Sequence, residues 1–249
     1  MTKLQKKIKL DVGSDSIWYV IRIHFLSFLK LKPLKDTYEK FKTYLNSQTT
    51  LKPVEIEHIG EYFSPKTTKR NEILLDYPSV CTDFYFINKG ALRIFTLNSQ
   101  GLESSRFFAF DTMFCTVLPS FIDQRPANEY LQSIEKSELL VCKRADFYEL
   151  IRQYPELDRL YREILELGFI ISQQRIYGFQ GFDALEKVQW VIKNQPHLLL
   201  RMSNKMAASY LGMSPSTLSR VKAKLWKPWL MSRHRFHSMV KFAPINKSE

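Results

Sequence analysis

Apolar positions change their period twice along this chain, dividing it into a helical, a strand-rich and again a helical stretch. In residues 34–47, Leu34, Tyr38, Phe41 and Leu45 recur at helical spacing. Thr50 to Phe63 predicts a second short helix, with Leu51, Val54, Ile56, Ile59 and Phe63 apolar and Pro53 near its start. Then the character changes. Residues 71–77 and 83–97 are rich in β-branched and aromatic types. Asn88-Lys89-Gly90, between Phe84–Ile87 and Leu92–Leu97, reads as a hairpin turn, and Asn98–Gly101 as a second turn. Ser104–Phe110 is a third strand. Glu135–Glu138 reads as a hairpin loop between Tyr130–Ile134 and Leu139–Lys143. Short strands at roughly 8–12-residue spacing predict an antiparallel sandwich or barrel.

Helical spacing resumes at Ala145. From Leu157 to Gly178 a seven-residue repeat sets Leu157, Ile164 and Ile171 in one column and Leu160 and Leu167 in the other. That is the seam of a dimerisation helix, and it would also suit a helix packed on its own domain. Ala184–Lys193 forms a further helix that ends near Pro196.

Residues 204–224 carry the most specific pattern, a helix-turn-helix. Ala208 is small enough for two helices to approach closely, and Gly212, four residues on, suits a sharp turn because it takes positive φ freely. Leu218 and Val221 anchor the second helix against the first, with Leu211 and Met213 flanking the turn and facing inward. Ser214 can cap the second helix, and Pro215 suits its first position. Ser216, Thr217, Ser219 and Arg220 are left on the outward face, with Lys222 and Lys224 behind. Hydroxyls and cations on an exposed helix are what base edges and phosphates require. The candidate DNA-binding set is therefore Ser214, Ser216, Thr217, Ser219, Arg220, Lys222 and Lys224.

Charge strengthens that reading. The chain of 249 residues has a net charge of +12, and the stretch from Pro196 to Glu249 holds ten Lys/Arg against one acid. A basic end on a nearly balanced body fits a polyanion-binding module. Cys81, Cys115 and Cys142 are widely spaced and odd in number, as expected of free thiols in a reducing, cytoplasmic compartment. No spacing suggests a metal or iron–sulfur site, and His234 and His237 lack partner ligands. The apolar run Ile17–Leu31 is short for a membrane span and is interrupted by Arg22, His24 and Lys30. Residues 1–33 are an N-terminal extension without an assigned role. A jelly-roll enzyme of cupin type would need inward His/Glu ligands, and residues 66–143 contain no histidine.

The order of elements, with Met206-Ala-Ala-Ser-Tyr-Leu-Gly-Met-Ser-Pro-Ser-Thr-Leu-Ser-Arg220, resembles the Crp/Fnr transcription regulators, in the form common among Bacteroidetes. The resemblance spans roughly residues 35–225. It implies an α+β chain: a cyclic-nucleotide-binding-like β jelly roll over residues 34–154, a dimerisation helix over 155–180, and a winged helix-turn-helix domain over 181–249. It implies a non-enzymatic homodimer on a near-palindromic double-stranded DNA site, in contact with RNA polymerase. Ser216, Thr217 and Arg220 fall on the family's DNA-contacting positions. Ser216 stands where many members carry Glu, and a hydroxyl does not read cytosine as a carboxylate does. After Leu225 the family continues into a β-hairpin wing, but Trp226–His237 lacks clean two-residue alternation.

The effector region departs further. Cyclic-AMP binders pair an Arg-Ser or Arg-Thr with the cyclic phosphate and use a preceding Gly-Glu for the ribose. Here Ala127-Asn128 and Thr116-Val117 occupy those places, and Arg125 comes two positions early. The chain is therefore expected to act without cyclic AMP and without a cofactor. Phe114, Val117, Leu118 and Phe121 could line a pocket for a greasier effector, alongside Thr116, Arg125, Ala127 and Asn128, or form a filled core. A ligand sensor acting through protein contacts is the alternative function. It would use the same elements without discriminating DNA sequences.

Overall fold

The computed structural model describes residues 37–231, with side chains to Leu225. Two helices lead: α1 (Glu39–Gln48) and α2 (Pro53–Glu61), the latter with Pro53 at its first turn. Eight strands follow, with one short helix among them: β1 (Phe63–Thr68), β2 (Ile73–Leu75), β3 (Asp83–Lys89), β4 (Leu92–Leu97), β5 (Glu103–Ala109), β6 (Phe114–Cys115), α3 (Leu118–Asp123), β7 (Tyr130–Ser133) and β8 (Ser137–Lys143). The rest is helical: α4 (Arg144–Gln153), α5 (Pro155–Gly181), α6 (Ala184–Asn194), α7 (Pro196–Arg201), α8 (Asn204–Leu211) and α9 (Pro215–Met231). The mixed helix-and-sheet class agrees with the sequence.

The strands form two four-stranded sheets, ordered β1-β8-β3-β6 and β2-β7-β4-β5. The pairs β1–β8, β3–β8, β3–β6 and β2–β7 are antiparallel. This order corrects two expected hairpins. Strands β3 and β4 lie in different sheets, as do β7 and β8, so the turns at Asn88–Gly90 and Ile134–Lys136 are crossovers. The first crossover is tightly fastened. Gly90 sits at φ +120°, and a Cβ there would lie 2.1 Å from the Ser137 Oγ. The Gly90 N–H donates to Asp111 Oδ1 at 2.9 Å, and the Ala91 N–H to Ser137 Oγ at 3.3 Å. Asn98–Gly101 does join sheet neighbours, β4 and β5.

Other boundaries also moved. Phe63 opens β1 instead of closing a helix, although Pro65 lies in that strand. Strand β6 and helices α3 and α7 had no distinct sequence signal. Helix α9 continues to Met231, so no wing begins directly after Leu225. His234, His237 and the extension 1–33 lie outside the described residues.

The chain clusters into two compact units. One comprises the residues up to Arg93 together with Ala109–Glu163; the other comprises Ile94–Phe108 and the residues from Ile164 onward. The core of the first is aromatic. Phe41 meets Phe63, Phe86 and Phe114, while Phe84 meets Phe114, Phe121 and Phe147, all with ring centroids 4.2–6.4 Å apart. Apolar surface removed from water at such rings supplies the main driving force for this unit.

Candidate nucleic-acid interface

The second unit builds the helix-turn-helix from a small, closed core. Ala207, Ala208, Leu211 and Leu218 are fully buried, and Val221 nearly so, so the two short residues let α9 cross close over α8. Val188 and Val191 of α6 and Leu198 of α7 complete this core. Met213 is only half-buried. Several contacts hold the back of α8. Tyr210 donates to Gln195 Oε1 at 2.9 Å, Arg175 lies 4.2 Å over the Tyr210 ring, and Phe108 packs edge-on at 5.6 Å. The hydroxyls of Ser105 and Ser209 are 2.7 Å apart.

Both ends of the turn follow from local sequence chemistry. Ser203 caps α8 by accepting from the Met206 N–H at 3.2 Å. At its other end Gly212 adopts φ 64°, the Met213 N–H reaches the Ala208 carbonyl at 3.1 Å, and the Gly212 N–H reaches the Ser209 carbonyl at 3.4 Å. This is a Schellman closure, which needs a residue at ease in the left-handed region. Nothing lies within 4 Å of where a Gly212 Cβ would stand, so the requirement is conformational and not steric.

Ser214 then caps the second helix. Its Oγ accepts from the Thr217 N–H at 3.0 Å, and lies 2.8 Å from both Ser216 Oγ and Thr217 Oγ1. The Arg220 guanidinium reaches Thr217 Oγ1 at 3.4 Å. Ser214, Pro215, Ser216, Ser219, Arg220 and Lys224 are exposed, and Thr217 is half-exposed. Ser216, Ser219 and Arg220 share one face of the helix. Lys222 stands apart from this set. It is half-buried, and burial holds its ammonium below the usual lysine range. Asn204 was missed by sequence reasoning: its side chain reaches from α8 to Pro215 and Ser219 of α9. A polar residue just after a capping serine looks like ordinary helix-start chemistry, so nothing local marks that reach.

The expected effector residues are placed differently. Phe114 and Phe121 belong to the aromatic core, Phe121 stacking on Tyr148 at 5.9 Å, and Val117 and Ala127 are buried. Thr116 donates to the Asp83 carbonyl at 2.9 Å. Leu118 is half-buried, and Arg125 and Asn128 are exposed. The neighbouring Ser120 accepts from the Cys81 N–H and donates to the Arg125 carbonyl. Arg144 binds the Phe121 and Ile122 carbonyls at the end of α3. The hydroxyls here satisfy backbone groups, and the Phe114 and Phe121 rings pack against other aromatic rings.

The residues of the expected seam on α5 differ in exposure. Leu157 and Leu160 are 5% and 4% exposed, packed within their own chain, and Ile164, Leu167 and Ile171 are half-buried. The open apolar side chains of that helix are Phe169, Ile170, Ile176 and Tyr177. Among the described residues no helix is long and apolar enough to cross a membrane, and no cluster of His, Cys, Asp and Glu could hold a metal.

No family model and no curated protein matches the sequence. Solved structures match its fold. The c-di-GMP responsive global regulator CLP of Xanthomonas campestris aligns with a TM-score of 0.57 at 14% identity, over 72% of this chain and 94% of its own. FixK2 from Bradyrhizobium japonicum aligns with a TM-score of 0.59 at 15% identity, over 73% of this chain and 98% of its own. A protein of Eubacterium rectale described as a transcriptional regulator of the Crp/Fnr family aligns at 0.54 and 13% identity, over 72% and 85%. The chain therefore has the Crp/Fnr fold: a cyclic-nucleotide-binding-like β domain followed by a C-terminal helical domain.

Proposed function

We propose that this chain, a Crp/Fnr-type protein by fold, is a homodimeric, sequence-specific DNA-binding transcription regulator. The observation that carries the reading is the capped, rigidly seated α9, whose exposed face offers Ser214, Ser216, Thr217, Ser219 and Arg220 as hydrogen-bond and cationic groups. Such a helix fits the major groove, its first turn facing phosphate and its side chains facing base edges. Lys224 contributes charge toward phosphate. Lys222, being half-buried, contributes less. A carboxylate-free first turn would select a target unlike that of relatives with Glu at the place of Ser216.

Dimerisation is assigned to the outer face of α5, through Phe169, Ile170, Ile176 and Tyr177. Phe169 and Ile176, like Ile170 and Tyr177, are seven residues apart, the spacing of a two-helix seam. Two protomers would then present two α9 helices to successive turns of one near-palindromic site. Cyclic AMP is not the expected signal. The arginine–hydroxyl pair of a phosphate cradle is replaced by the buried Ala127 and exposed Asn128, and the nearby hydroxyls bind their own backbone.

Selection of bound duplexes from a random pool, with and without cyclic AMP, tests the reading as a whole. The expected result is one near-palindromic motif, enriched equally in both arms. Absence of any motif would favour a sensor that works through protein contacts. Enrichment only with cyclic AMP would overturn the effector reading.

A further inference from the structure

We propose that Asn204 is a positioning residue for base recognition, turning the Ser219 hydroxyl hydrogen outward so that Ser219 reads as a donor. This rests on the DNA-binding reading above. Asn204 is the first residue of α8, and its carboxamide spans the gap to the first turns of α9. Nδ2 donates to the Pro215 carbonyl at 2.8 Å and to Ser219 Oγ at 2.9 Å. A carbonyl only accepts, so the nitrogen end of the amide must face Pro215, and both its hydrogens are used.

The consequence lies in what Ser219 would otherwise do. A serine inside a helix commonly turns its hydrogen back to the carbonyl four residues earlier. For Ser219 that carbonyl is Pro215, where Asn204 already donates. Asn204 also donates to the Ser219 oxygen itself, which spends one of its two lone pairs inward, turns its hydrogen away from the helix and polarises the hydroxyl toward donation. Ser219 has no acceptor for that hydrogen among the described residues, and it is exposed beside Arg220. The two neighbours together present donors. Guanine, adenine and thymine all offer major-groove acceptors, whereas cytosine offers its amino hydrogen. The base facing Ser219 is thus one with an acceptor edge, and cytosine is disfavoured there.

The test is a comparison of selected binding motifs for the wild-type protein, Asn204→Ala, Ser219→Ala and the double variant. One hydrogen bond corresponds to about a three- to tenfold preference. The wild type should disfavour cytosine by that factor at one position of each half-site, and Asn204→Ala should remove the preference there while leaving the others in place. On the Ser219→Ala background, Asn204→Ala should change nothing further at that position. Asn204→Asp keeps the shape but accepts from Ser219, so it should move the same position toward cytosine even as its charge lowers affinity for all duplexes. A merely structural role would weaken every position alike. An unchanged preference in both Asn204 variants overturns the proposal while the DNA-binding reading stands; a wild type that enriches no motif overturns that reading itself.

Discussion

Phe169→Ala should weaken self-association about a hundredfold while leaving the protomer folded. Full burial of a phenylalanine side chain is worth roughly 1.5–3 kcal/mol. Phe169 remains 63% exposed within one chain. About 1.5 kcal/mol is therefore still available to it in a dimer. A two-fold axis counts the residue twice, giving about 3 kcal/mol per dimer, and each 1.4 kcal/mol is about a tenfold change in Kd. By the same reasoning Ile176, 50% exposed, should cost about thirtyfold when truncated to alanine. Leu160 is the control: only 4% exposed, it has little left to bury. Leu160→Ala should instead destabilise the protomer by about 2–5 kcal/mol through the cavity it leaves. Sedimentation velocity over a dilution series reads association, and thermal melting of dilute protein reads the protomer. An unaltered dimer Kd in Phe169→Ala would refute the assignment. So would an equal loss of association in a still-folded Leu160→Ala.

Three further outcomes follow from single sites. Gly90→Ala should destabilise by more than about 3 kcal/mol, since an L-residue at its φ of +120° is strained by roughly 1–3 kcal/mol and its Cβ would stand 2.8 Å from the Ser137 Cα, which no rotamer change relieves. Gly101→Ala, at φ +73° in open space, should cost only about 1 kcal/mol, and equal losses in urea titrations would remove the steric argument. Arg220→Ala should lower operator affinity by about 1–3 kcal/mol if it pairs with guanine, read by gel-shift titration, with unchanged affinity taking Arg220 out of the reading set. The Cys142 thiol, pushed up to about 12 by burial with the Asp146 and Asp83 charges adding to it, should stay protonated and unlabelled by thiol reagents at pH 8. Because the folded value is raised, its contribution to stability is complete below the ordinary thiol range and fades as pH rises toward 12. Denaturation midpoints of Cys142→Ala should therefore fall less steeply than wild type from pH 9 upward, and parallel curves would count against it.

Local chemistry was legible and partnership was not. The turn around Gly212 announced itself because each requirement lies within a few residues: the small Ala208, the left-handed glycine, the cap at Ser214 and the proline after it. Every one is visible to a reader who knows only neighbours in the chain. The apolar and aromatic runs of β3 and β4 likewise mark buried strands, but they are silent on which strand pairs with which. Asn88-Lys89-Gly90 could close a hairpin or carry the chain to a second sheet, and the choice is made by Ser137 and Asp111, far away in sequence. The heptad on α5 was ambiguous for the same reason. Its spacing shows that one stripe will be covered but not by what: Leu157 and Leu160 are covered by their own chain, whereas Phe169 and Ile176 stay exposed. Asn204 completes the pattern: its identity looks like helix-start chemistry, and its consequence is set fifteen residues on, at Ser219. What the sequence conveys is the geometry each segment can adopt. What it withholds is which distant group will use it, and the base preference assigned to Ser219 depends on that second kind of information.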